Sequence, residues 1–169
     1  MKLNLGSGQR PFSKEDGWLN CDVQSKDYEV DVVLDLAAPL PFGDNEAEIV
    51  VLHQVLEHMD AFREGQALLK ECYRVLKPGG SLIVTVPDTR ALARRYLLGM
   101  IDSYTFRVNM HGAFMGAEFD RHRWSYDWGE LAEKMMCAPW KEVKGFDWRV
   151  IDGADIAQDW WILGVEGVK

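Results

Sequence analysis

Cysteine is scarce in this sequence, basic charge is in deficit, and long apolar runs are missing. The three cysteines are Cys21, Cys72 and Cys137. Their number is odd, their spacing wide, and none stands in a C-x-x-C pair. That disfavours a disulfide framework or a zinc finger, and reduced thiols in a cytoplasmic protein are the expectation. Lys and Arg number 19 against 27 Asp and Glu, a formal net charge of −8. Phosphates repel such a surface, so a nucleic-acid partner is not expected. The best candidate for a basic patch is the short Arg121-His122-Arg123, while Arg94 and Arg95 fall in a helical pattern and read as a solvated face. No stretch approaches the roughly 18 apolar residues of a membrane span. The opening Met-Lys-Leu-Asn-Leu-Gly reads as a strand and not as a signal peptide.

What is present describes one ordinary domain over residues 1–169, with 47% apolar and 27% charged residues. Residues 3–5, 18–22, 32–36 and 49–53 read as strands, the last a continuous apolar run suited to burial on both faces. A helix is expected over 62–76, because Leu68, Leu69, Cys72, Val75 and Leu76 recur at three- and four-residue steps; Asp60 would cap it and Lys77-Pro78-Gly79-Gly80 would stop it. Residues 81–86 read as a fifth strand closed by Pro87. Strands alternating with helices predict an α/β fold with a parallel sheet. The tail is expected to hold a helix over 128–137 and two strands, 142–148 and 160–165, antiparallel to each other. Residues 1–88 form a cofactor-binding half on this reading and 89–169 a substrate-side half.

The chemistry concentrates at strand ends. Gly6-Ser7-Gly8 follows the first strand, where glycine lets the backbone turn sharply and approach a ligand. Asp22 ends the second strand, placed to hydrogen-bond a ribose, and Asp35-Leu36 ends the third beside the same crevice, a pair suited to adenosine. Each alone also fits a simple turn. No third glycine follows, and residues 9–17 leave room for only a turn or two of helix. A pyrophosphate calls for a helix N-terminus there, so a ligand without phosphates is the better fit and a nicotinamide oxidoreductase the poorer one.

Three stretches together resemble the class I S-adenosylmethionine-dependent methyltransferases, in particular the small type-11-like family. They are Leu3-Asn4-Leu5-Gly6-Ser7-Gly8 with Asp22; Asp35-Leu36, Leu40-Pro41-Phe42 and Val55-Leu56-Glu57-His58; and the run from Glu71 through Arg74-Val75-Leu76-Lys77-Pro78-Gly79-Gly80 to Pro87-Asp88. The resemblance is close over residues 3–88 and holds in outline beyond. It implies a Rossmann-like, mostly parallel seven-stranded sheet with an antiparallel C-terminal strand pair and helices on both faces. S-adenosyl-L-methionine would be the cofactor. Gly6, Ser7 and Gly8 would pass under its methionine part, Asp22 would hold the ribose, Asp35 and Leu36 would meet the adenine, and His53 and Gln54 would border the methyl group. Asn4 stands where the family commonly has an acid for the cofactor's ammonium.

The methyl acceptor, a small molecule or a sugar on this reading, is not identified by the sequence. His122 is the first candidate base, in the polar and aromatic stretch from Glu118 to Trp124; an exposed loop held by charge pairs is the other reading. His111 is similarly placed, and Asp88 either acts at the sheet's carboxyl edge or caps the next helix. His53 and His58 are five apart, which does not match a helical zinc motif; no metal is expected, and His58 is read as capping or packing. The aromatic tail makes a homodimer conceivable. A non-catalytic, cofactor-binding scaffold is the rival reading.

Overall fold

The computed structural model describes residues 1–23, 30–113, 120–151 and 160–169. Among them a seven-stranded sheet runs in the order β3-β2-β1-β4-β5-β7-β6. The strands are β1 (Lys2–Leu5), β2 (Trp18–Asp22), β3 (Val32–Val33), β4 (Ala47–His53), β5 (Leu76–Pro87), β6 (Glu142–Gly145) and β7 (Ile162–Val168). The helices are α1 (Glu64–Val75), α2 (Thr89–Leu97), α3 (Ser103–His111) and α4 (Trp128–Met135). The first five strands are parallel, and β7 runs antiparallel to both β5 and β6. None of the described helices is long and apolar enough to cross a membrane.

Alternation along the strands divides two cores. Val50, Leu52, Leu82 and Val84 face α1 and α4, and join Leu68, Leu69, Cys72, Leu131 and Met135 in the main core. Val51, Ile49 and Ile83 face the other side, where Phe12, Trp18, Trp148 and Ile151 close the sheet. Short 3-10 turns at Lys14–Asp16 and Trp148–Val150 flank that second cluster. Large aromatic rings give this side its apolar cover.

Several boundaries differ from the sequence expectation. Helix α1 starts at Glu64, two residues late, because Asp60 is engaged one turn earlier: its Oδ1 accepts from the Phe62 and Arg63 amides at 3.1 and 2.8 Å. Strand β3 is only two residues long and ends at Val33, where the Leu34 amide makes the last ladder bond to the Asp22 carbonyl at 2.9 Å. Helix α1 leads into β5 directly at Leu76. There Gly80 is the residue that fits, because a Cβ on it would lie 2.9 Å from the Glu48 carbonyl oxygen. The loop expected between the tail strands lies largely outside the described residues.

Arg74, inside the most specific motif, is a clamp. Its guanidinium donates to the Leu40 and Phe42 carbonyls at 3.1 and 2.9 Å, to Asp44 at 2.8 Å and to both Glu71 oxygens at 2.8 Å. Glu71 in turn accepts from the Leu40 amide. Arg74 thereby pins the Leu40-Pro41-Phe42 segment onto α1. Arg74→Met keeps the stem and deletes these bonds; it is expected to cost about 2 kcal/mol in urea unfolding, the scale of charge-assisted hydrogen bonds at a half-exposed site.

Candidate active site

The chain crosses from β1 to β2 on one side of the sheet, while β4 lies on the other side of β1. In open α/β sheets ligands settle where the strand order reverses, outside the carboxyl ends. A cleft of 630 Å³ lies there, lined by Gly6, Gly8, Asp22, Asp35, Leu36 and Gln54 among others. The structure thus brings most of the sequence-derived cofactor residues to one place.

The loop after β1 is built for close approach. The Gly6 and Ser7 amides both donate to the Cys21 carbonyl, at 2.8 and 3.0 Å. Gly6 has φ +72°, and a Cβ there would lie 2.5 Å from Val55 Cγ2, so only glycine fits. Gly8 donates its amide to Asp22 Oδ2 at 2.8 Å, and Val23 donates to Asp22 Oδ1 at 2.7 Å. One carboxylate therefore orders both loops of the cleft. Among the described residues the buried Ser7 hydroxyl has no hydrogen-bond partner, a donor left for a ligand. Asp35 folds its own turn, accepting from the Ala37 amide at 2.9 Å, and Leu36 faces Gly6.

At the end of β4 the backbone is strained. Gln54 holds φ +57°, which is uncommon for a residue with a Cβ and is found mostly where function requires it. With its amide turned to satisfy both ends, Gln54 donates to Glu57 Oε1 and accepts from the Val86 amide, each at 3.2 Å. His53 bonds the Thr85 hydroxyl at 2.8 Å, and burial pushes its imidazole down to about 4, so the ring is neutral. Asn4, His53 and Gln54 line a second, adjoining hollow with Ser7, Arg10 and Trp161. The Asn4 amide donates to Asn20 Oδ1 at 2.9 Å and to the Arg10 carbonyl at 3.3 Å. Its first task is to hold the segment after the glycine loop.

The candidate catalytic residues separate. Asp88 is the N-cap of α2, accepting from the Arg90 and Ala91 amides at 2.9 and 3.2 Å. His111 ends α3 and is exposed, its carbonyl accepting from the His122 amide. His122 lies behind His58 with the rings edge to face, centroids 4.8 Å apart. Burial first, and His58 next, push His122 down to about 4, which makes it a weak proton acceptor.

Sequence reasoning missed the residues that form the cleft's far wall: His58, Met59, Glu64 and Arg123. Arg123 donates to Glu64 at 2.8 Å, and the Arg123 and Trp124 amides both donate to the Glu57 carbonyl. Glu57 itself is 1% exposed, and burial pushes its carboxyl up to about 8. A charged residue within the apolar run Val55-Leu56-Glu57-His58 was the available signal. Among the described lining residues Asp22, Asp35, Glu64 and Asp120 outweigh Arg123, so the cleft favours a cation and repels phosphates.

A glycine loop at a switch point, an acid ending the second strand and an apolar–acidic pair after the third line one cleft at the edge of an open α/β sheet, an arrangement that suits a nucleoside. The family model described as a methyltransferase domain matches residues 15–84, just beyond the glycine loop. A probable S-adenosylmethionine-dependent methyltransferase of Mycolicibacterium smegmatis is 30% identical over 142 residues, covering 71% of this chain and 54% of that protein. The chain spans about a third to a half of the length of the first two curated relatives it matches. A SAM-dependent methyltransferase structure from Archaeoglobus fulgidus superposes with a TM-score of 0.65 at 15% identity, covering 99% of this chain and 85% of that one. Human N-acetylserotonin methyltransferase in complex with SAM gives 0.63 at 18% identity, covering 99% and 47%. Over residues 15–84 the chain matches a methyltransferase domain, and its fold is that of solved S-adenosylmethionine-dependent methyltransferases.

Proposed function

We propose that this protein transfers the methyl group of S-adenosylmethionine to a small-molecule or sugar acceptor. The observation that carries the reading is the cradle at the β1–β4 switch point, where Asp22 bonds the Gly8 amide and the orphaned Ser7 hydroxyl and Gly6 face the same hollow region. These residues fit the cofactor: the glycines would admit its methionine part, Asp22 would take the ribose hydroxyls, Leu36 would lie against the adenine, and the acidic lining suits a sulfonium.

When bound, S-adenosylmethionine supplies a methyl carbon activated by a positive sulfur. The chain's share of the work is placement, bringing an acceptor atom about 3 Å from that carbon on the line of the breaking bond. Gln54, strained at the mouth of β4, sets the floor near the reacting group, and His58, Met59 and Arg123 shape the acceptor side. The free thiols of Cys21, Cys72 and Cys137 support a cytoplasmic setting. A non-catalytic cofactor-binding protein is the second reading. It is favoured by Asn4, whose amide is engaged with Asn20 and Arg10 and offers an ammonium less than a carboxylate would.

Calorimetric titration with S-adenosylmethionine, with its demethylated product S-adenosylhomocysteine and with NADH tests the proposal. Saturable binding of the first two and none of NADH is expected. Failure of both adenosyl ligands to bind would overturn it.

A further inference from the structure

The 3-10 turn Leu56–His58 after β4 and the segment following α3 meet in a cluster that the cofactor reading does not use. Glu57, His58 and His122 place one ligand-capable atom each within 4.8 Å of one another. Two backbone bonds from Arg123 and Trp124 to the Glu57 carbonyl, at 2.7 and 3.1 Å, fasten the two segments.

Each member is prepared as a ligand. Glu57 is 1% exposed, its Oε1 accepts from the Gln54 amide, and its Oε2 is buried with no hydrogen-bond partner among the described residues. An ionised carboxylate oxygen in that condition costs several kcal/mol unless a cation meets it, on the order expected for buried charge. His58 Nδ1 lies 3.3 Å from the Arg121 carbonyl. The His122 backbone is fixed beside the end of α3, its amide donating to the His111 carbonyl at 3.1 Å. Metal-binding imidazoles are commonly oriented by a carbonyl at the nitrogen that does not ligate, the position the Arg121 carbonyl takes beside His58.

We propose that Glu57, His58 and His122 form a binding site for one divalent transition-metal ion, zinc by preference, on the acceptor side of the cleft. Two imidazoles and a carboxylate are borderline donors that suit zinc or ferrous iron, whereas magnesium and calcium take oxygen ligands. Ligands about 2.0–2.1 Å from a tetrahedral ion lie roughly 3.3 Å apart, so the three side chains must close in by about 1 Å. Three protein ligands leave an open position, and His58 lines the cleft, so that position faces the acceptor side. The consequence rests on the methyltransferase reading. An acceptor hydroxyl bound there gives its proton to solvent. Its oxygen then forms a bond to the methyl carbon as the carbon–sulfur bond breaks, the electron pair staying on sulfur as a neutral thioether. Phenols, hydroxy acids and sugar hydroxyls are the acceptor chemistry such an ion selects. The ion-binding site itself does not depend on the methyltransferase reading.

The test uses the whole chain, stripped of metal with a chelator and titrated with Zn²⁺ by calorimetry and with Co²⁺ by visible absorption, no cofactor present. One equivalent per chain is expected, with cobalt bands of a low-coordinate nitrogen–oxygen site. Glu57→Gln and His122→Ala are each expected to weaken binding by about 100-fold or more, since loss of merely an outer partner costs 10–100-fold. Circular dichroism identifies any variant that fails to fold, and Glu57→Gln keeps the shape of the side chain if His122→Ala does not fold. No stoichiometric binding by the parent protein, or undiminished binding by the folded variants, would overturn the proposal. Zinc binding without S-adenosylmethionine binding would retain the ion site and remove the methyl-transfer reading; the reverse result would remove the ion site alone.

Discussion

Asp22→Ala is expected to weaken S-adenosylhomocysteine binding by about 100-fold or more, read by calorimetry. Two losses add. The carboxylate that would receive the ribose hydroxyls goes, and charge-assisted hydrogen bonds of this kind contribute about 1.5–3 kcal/mol each. The Gly8 and Val23 amides, now held at 2.8 and 2.7 Å, also lose their shared acceptor, so the glycine loop and the start of the β2 loop are no longer ordered against each other. Asp22→Asn separates the two effects. It keeps one acceptor oxygen but removes the charge, so an intermediate loss is expected. A cofactor affinity unchanged by Asp22→Ala would mean that the cradle at the switch point does not hold the nucleoside.

The second large effect concerns stability against pH in the metal-free protein. Burial pushes Glu57 up to about 8 from an ordinary value of 4.5. The folded chain therefore keeps a proton that the unfolded chain releases. The stabilisation is fully present below 4.5 and is lost as pH rises through 8. His53 and His122 act in the opposite sense. Burial lowers both to about 4, so their contribution is present above 6.5 and is lost as pH falls through 4. Two histidines outweigh one glutamate below 6.5, and Glu57 dominates above it. Stability should peak near pH 6.5 and fall by about 1 kcal/mol towards pH 8, because the histidines still offset part of the Glu57 loss just above the peak and Glu57 itself begins to ionise near 8. Glu57→Gln cannot ionise, and in urea unfolding its stability should no longer fall over that upper range. A parent protein equally stable at pH 6.5 and 8 would show that Glu57 ionises freely in the folded state.

The local determinants of the fold were legible along the chain. The spacing of Leu68, Leu69, Cys72 and Val75 predicts α1, and the continuous apolar run of β4 predicts a strand covered on both faces, as it is. Gly6, Gly8, Asp22, Asp35 and Leu36 were readable as a cleft because each stands at a strand end, and a parallel sheet brings its strand ends to one edge. Boundaries were less legible where a side chain competes with the regular ladder, as Asp60 does ahead of α1.

The alternation of strands and helices, the glycine loop and the acids that face it follow from neighbours a few residues apart and are therefore set locally. Tertiary structure alone decided which side chains meet across the chain. Along the chain the nearest histidine to His58 is His53, five residues away, but the ring it packs against is that of His122, 64 positions distant. Asp88 offered both a catalytic and a capping role, and the start of α2 took its carboxylate. Asn4 was read towards the cofactor, and its amide was drawn to Asn20 and Arg10. Long-range contacts follow from how sheet and loops pack, and a buried polar group takes whichever partner that packing leaves within about 3 Å.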